Sequence, residues 1–64
     1  MAKLFQINYM QDNDDGSYLT VGEDTDTKES VRDREYEKLK DKSCLYFFDA
    51  RLIEEVDGHK ITVE

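Results

Sequence analysis

Ile53-Glu54-Glu55-Val56-Asp57-Gly58-His59-Lys60-Ile61-Thr62-Val63 decides the fold. Asp57-Gly58 is a strong signal for a two-residue hairpin, because a type I′ turn needs positive φ at both central positions. The register it implies sets Val56 against His59, Glu55 against Lys60, Ile53 against Thr62 and Leu52 against Val63. Glu55 and Lys60 are then cross-strand neighbours of opposite charge, which favours the pairing. The third strand is expected to begin near Ser43 or Cys44 and to carry Leu45, Tyr46, Phe47 and Phe48 on its way to Val56. The fourth runs from His59 to Val63.

Upstream, Lys3 to Met10 alternates Phe5, Ile7 and Tyr9 with Leu4, Gln6, Asn8 and Met10, the period of a half-buried strand. Asp12-Asn13-Asp14-Asp15-Gly16 has turn chemistry, and Ser17 to Val21 reads as a second strand, so a hairpin with a loop of about five residues is expected. Asp26 precedes Glu29 by three residues, as in a capping box, and a helix is expected from Thr27 to Lys42. Its apolar face is thin: Val31, Tyr36 and Leu39, with Lys28, Arg32 and Glu35 projecting into the same arc. A helix of that length spans about 24 Å and returns the chain along a full strand. The expected fold is α+β: a single domain over residues 1–64, ordered ββαββ. Its four-stranded, mainly antiparallel sheet has the order 2-1-3-4, and the helix packs on one face.

A chain of 64 residues buries only a small core, and a single cysteine permits no internal disulfide. That cysteine usage, with Gln6 and Asn8 breaking the first apolar run, points to a reducing, cytoplasmic setting without a secretory signal. No apolar stretch approaches the ~20 residues that span a bilayer. The net charge of −7 argues against direct contact with nucleic acid or anionic membranes, which require Lys and Arg.

Residues 11 to 27 hold six acids, Asp12, Asp14, Asp15, Glu23, Asp24 and Asp26, and no base. An EF-hand reading fails, since setting Gly16 at its sixth position puts Gln11 and Gly22 where ligating acids belong. No metal or cofactor is therefore expected. Cys44 and His59 lie too far apart along the strands to act as nucleophile and base. Neither a phosphate-binding glycine loop nor a carboxylate in an apolar setting stands out, and no enzymatic site is expected. On the helix, Glu29, Asp33, Glu37 and Asp41 form an acidic row flanked by pairs three residues apart, Glu29 with Arg32, Arg34 with Glu37, Glu37 with Lys40 and Lys38 with Asp41, and it reads as a self-neutralised face. The loop acids have none nearby. In Leu45-Tyr46-Phe47-Phe48, alternate side chains point to opposite faces, so one set is expected on the face the helix leaves open.

Tyr18-Leu19-Thr20-Val21-Gly22-Glu23-Asp24-Thr25-Asp26-Thr27 and Val56-Asp57-Gly58-His59-Lys60-Ile61-Thr62-Val63 resemble segments of short uncharacterised accessory proteins of phages and integrative elements of Gram-positive bacteria. The resemblance covers under a third of the chain. It implies an accessory role, and such proteins include small acidic inhibitors of host defence enzymes, anti-CRISPR proteins among them. The functional expectation is a non-enzymatic, acidic interaction module. It would dock on the basic surface of a protein, such as a nucleic-acid-binding enzyme, through the six loop acids and an aromatic face of Tyr46, Phe47 and Phe48. The second expectation is a self-associating structural domain, a homodimer through the open sheet face, whose acidity serves solubility.

Overall fold

A computed structural model describes residues 2–12, 14–40 and 45–64. Strands β1 (Lys3–Gln11) and β2 (Asp14–Gly22), helix α1 (Lys28–Leu39), and strands β3 (Phe47–Val56) and β4 (His59–Thr62) follow in that order. They form one sheet, β2-β1-β3-β4, with every neighbour antiparallel. The α+β fold and strand order are those expected from the sequence. Asp57 and Gly58 carry φ of 53° and 80°, and the hairpin sets Val56 opposite His59 and Glu55 opposite Lys60. Nζ of Lys60 lies 3.6 Å from a Glu55 carboxylate oxygen. Beyond β4, the Val63 amide donates to the Leu52 carbonyl and the Leu52 amide to that of Glu64.

The first hairpin is tighter than expected. Gln11 pairs with Asp14, so Asp14, Asp15 and Gly16 belong to β2 rather than to a loop. Gly16 sits opposite Tyr9, and the Tyr9 ring occupies the space a β-carbon would take there. Glycine thus serves as the floor under an aromatic ring rather than as a breaker. Asn13 lies outside the described residues.

The helix starts one residue later than expected. Thr27 is its N-cap: the Thr27 hydroxyl accepts from the Ser30 amide at 3.2 Å and the Ser30 hydroxyl from the Thr27 amide at 3.0 Å. The Asp26–Glu29 capping box is not formed. Asp26 Oδ2 instead accepts from the Glu23 amide at 2.6 Å and closes the preceding turn. The helix ends at Leu39 with Lys40 as its cap. The expected extension to Lys42, the Lys38–Asp41 pair and a strand start at Ser43 or Cys44 lie outside the described residues. Leu45 and Tyr46 precede β3, which starts at Phe47.

The core lies between α1 and the centre of the sheet. Phe5, Ile7, Val31 and Ala50 are buried together, and Tyr18, Phe48 and Leu52 pack around them. On the helix the buried residues are Val31, Glu35 and Leu39, a spacing of four, whereas Tyr36 is 44% exposed. Tyr36 meets Phe48 edge-on at 5.6 Å between ring centroids. The expected apolar arc is therefore rotated, with a carboxylate at its centre.

Candidate protein-docking surface

Side chains directly opposite in an antiparallel pair share a face. The registers therefore place Phe5, Ile7, Tyr18, Phe48, Ala50 and Leu52 towards the helix and the alternate residues away from it. On the uncovered face one row reads Asp15–Met10–Phe47 and another Val21–Leu4–Ile53. Between them stand Asn8, Ser17, Gln6, Asp49 and Arg51, together with the exposed Leu19 opposite Gln6, and the Arg51 guanidinium lies 3.0 Å from the Asp49 carboxylate. The uncovered face is thus apolar at its two ends and mostly polar across its middle, where Leu19 on β2 is the apolar exception.

The three aromatic candidates separate. Phe47 is 46% exposed on the uncovered face, and Phe48 turns the other way into the core margin against Tyr36. Phe48 therefore does not share the uncovered face with Phe47, because β3 alternation turns it towards the helix. Tyr46 precedes the strand and is exposed, its amide donating to the Met10 carbonyl at 3.1 Å. Phe47 and Met10 therefore form the apolar part of one end of the sheet, with Asp15 beside them in the same row. Asp12 lies in the connection between β1 and β2, and Asp14 at the start of β2 takes the opposite face from Asp15; all three acids are exposed. Among the described residues, no ion pair includes Asp12, Asp14 or Asp15.

Glu23, Asp24 and Asp26 lie at the other end of β2. Because that strand runs nine residues, the two groups stand about 30 Å apart rather than at the spacing of a short strand. Asp26 is engaged within the fold. Beyond its bond to the Glu23 amide, its carboxylate lies 3.6 Å from the Arg34 guanidinium, and its carbonyl accepts from Lys3 Nζ at 3.1 Å. Gly22 permits this closeness, since a β-carbon there would come within 2.7 Å of the Phe5 ring and 3.0 Å of both Asp26 and Val31.

One cluster escaped the sequence reading. Glu35 is 2% exposed, yet its carboxylate is fully engaged: it accepts from the Tyr18 hydroxyl at 3.0 Å and from Arg34 Nε at 3.1 Å, and lies 3.0 Å from Lys38 Nζ. Burial pushes its pKa up, but the hydrogen bonds from Lys38, Arg34 and Tyr18 outweigh burial and hold it below the usual carboxylate value. Burial, reinforced by the bond to the Glu35 carboxylate, pushes the Tyr18 phenol up to about 12. Arg34 also donates to the Val21 carbonyl at 3.1 Å. The cluster therefore fastens α1 to β2 and to the 23–26 turn, and its polar groups satisfy one another. The i,i+4 spacing of Val31, Glu35 and Leu39, read with Tyr18 on the helix-facing side of β2, carries the signal.

His59 is exposed opposite Val56, and Cys44 lies outside the described residues. Among the described residues, no group of three or more His, Cys, Asp or Glu side chains is arranged to hold a metal ion. No described helix is long and apolar enough to cross a membrane. Comparison with protein-family models, with characterised proteins and with solved structures finds no match to this chain.

Proposed function

We propose that this chain is a non-enzymatic interaction module that docks, through the β1–β2 hairpin end of its sheet, on a basic protein surface that otherwise binds nucleic acid. The observation that carries the reading is the row Asp15–Met10–Phe47 across three strands. It sets an acid beside two exposed apolar side chains on the uncovered face, with Asp12 and Asp14 at the margin. Apolar side chains supply buried area in such a contact, and the acids steer approach and select a basic counterpart. The carboxylates stand in for phosphates, so binding excludes nucleic acid and inhibits the target. The resemblance of residues 18–27 and 56–63 to phage and mobile-element accessory proteins favours a host defence enzyme in the cytoplasm as that target.

Face-to-face self-association draws less support. The centre of the uncovered face is mostly polar, with Asn8, Gln6, Asp49 and Arg51 on β1 and β3 and Leu19 on β2 as its one apolar side chain, and it is the centre of an interface that needs to be apolar. The proposal is tested by capturing partners from a Gram-positive host lysate with the parent and with an Asp12→Asn/Asp14→Asn/Asp15→Asn variant. The captured protein is then assayed for nucleic-acid binding with and without the chain. A basic protein held by the parent, lost with the variant and displaced from nucleic acid supports it. Equal capture by both proteins, or none, removes it.

A further inference from the structure

β3 spans ten residues, but β4 pairs only with its second half, Ile53 to Val56, extended by the bonds of Leu52 to Val63 and Glu64. Phe47 to Arg51 have β1 on one side and, among the described residues, no strand on the other. Leu52 directs its amide and carbonyl towards β4. The register with β1 is unbroken from Phe47 to Ile53, so Ala50 and Phe48 direct theirs the same way. Unpaired amide and carbonyl groups along a strand form a template for another strand. The template is bounded at both ends, by the turn of Tyr46 towards Met10 and by the Leu52–Glu64 bond.

We infer that this edge pairs with the same edge of a second copy, antiparallel about a two-fold axis at Asp49. The midpoint of the stretch fixes that register, and four features of the residues suit it. Phe48 of each copy lies opposite Ala50 of the other, and the two residues exchange both backbone hydrogen bonds, so all outward groups are used. Towards the helix, a large ring then meets a small side chain. On the uncovered face, Phe47 of each copy lies opposite Arg51 of the other, and both are exposed in the single chain. A guanidinium over an aromatic ring is attractive. The two Asp49 carboxylates face each other at the axis, and the Arg51 guanidinium 3.0 Å from each offsets their repulsion. A register centred one residue further on, at Ala50, would set Phe48 opposite Leu52, whose outer side is occupied by the end of the chain's own β4 segment. This edge shares Phe47 with the hairpin-end surface proposed for the basic partner, but the two contacts differ in salt response. Each copy carries −7, so added salt strengthens self-pairing and weakens the basic-partner contact.

The test is sedimentation equilibrium of the full chain from about 1 µM to about 1 mM at low and high salt, joined to amide hydrogen exchange at both ends of that range. A mass rising from 7.6 kDa to twice that value, with the Phe48 and Ala50 amides better protected at high concentration, is expected. Arg51→Glu should weaken the dimer about tenfold, and Asp49→Asn should tighten it severalfold, both leaving the monomer folded because these side chains stand largely outside the core. A monomer throughout the range overturns the inference, whatever other strand later proves to use the edge. So does a dimer in which Phe48 and Ala50 exchange equally fast at both concentrations.

Discussion

Glu35 shows how one side chain is governed by its neighbours. A carboxylate at 2% exposure is tolerated because Tyr18, Arg34 and Lys38 supply its hydrogen bonds. Since its folded pKa is below the unfolded value, Glu35 contributes stability above the unfolded pKa, and that contribution is lost as pH falls through the folded one. Tyr18 works the other way. Its folded pKa is raised from 10 to about 12, so its contribution is complete below pH 10 and disappears as pH climbs towards 12. Urea titrations between pH 2 and 12 should show both losses. Tyr18→Phe should remove the alkaline loss and cost about 1.5–3 kcal/mol near neutrality, the range for a hydrogen bond to a charged group. Gly58 offers a purely conformational contrast. Nothing lies within 4 Å of the position its β-carbon would take, yet its φ is +80°. Gly58→Val should therefore cost more than about 1 kcal/mol without any steric clash, read as a lower urea midpoint at unchanged slope. The glycine was legible from Asp57-Gly58 alone, because turn chemistry is local. Glu35 was not, because its partners come from β2 and from its own helix face, and charge in a sequence ordinarily signals solvent.

Among the elements, periodicity specifies the strands better than it specifies where they begin and end. Alternation in residues 3–10 and the Asp57-Gly58 turn specified the strands, their order and the second hairpin's register. The β1–β2 hairpin departs from expectation because Asp14-Asp15-Gly16 has the composition of a loop yet pairs as strand. What extends β2 across it is the Tyr9 ring lying on Gly16, a contact between strands that composition does not express. The cap moved from Asp26 to Thr27 for a similar reason: both residues suit a cap, but Asp26 is taken by the Glu23 amide. β3 shows that alternation carries functional meaning too. Phe47 and Phe48 are adjacent and chemically identical, yet they lie on opposite faces. Phe47→Asp should leave the chain folded, with a change within about 1 kcal/mol, whereas Phe48→Asp should destabilise by more than about 3 kcal/mol by placing a charge against Tyr36 and the core. Circular dichroism and urea unfolding of the two variants separate these outcomes. Equal destabilisation would mean that both rings are core.

For the whole molecule, the six acids between residues 12 and 26 divide into two unlike groups about 30 Å apart. Glu23, Asp24 and Asp26 surround a turn that Lys3 and Arg34 fasten to the sheet and helix. Asp12, Asp14 and Asp15 project from the opposite end beside Met10 and Phe47. The sequence showed six acids without nearby bases, but proximity along the chain conceals Lys3 and Arg34, which reach Asp26 from 23 and 8 residues away. The hairpin-end acids should therefore dominate binding, and replacing Glu23 and Asp24 should weaken it less. The most direct measurement compares retention of a captured basic host protein by the parent, by Asp12→Asn/Asp14→Asn/Asp15→Asn and by Glu23→Gln/Asp24→Asn, at about 0.1 M and about 1 M salt. The parent should retain the protein at low salt and release it at high salt, the hairpin-end variant should lose it, and the other variant should largely keep it; equal retention by all three, or no basic protein held at either salt concentration, would show that the hairpin-end acids do not make the contact.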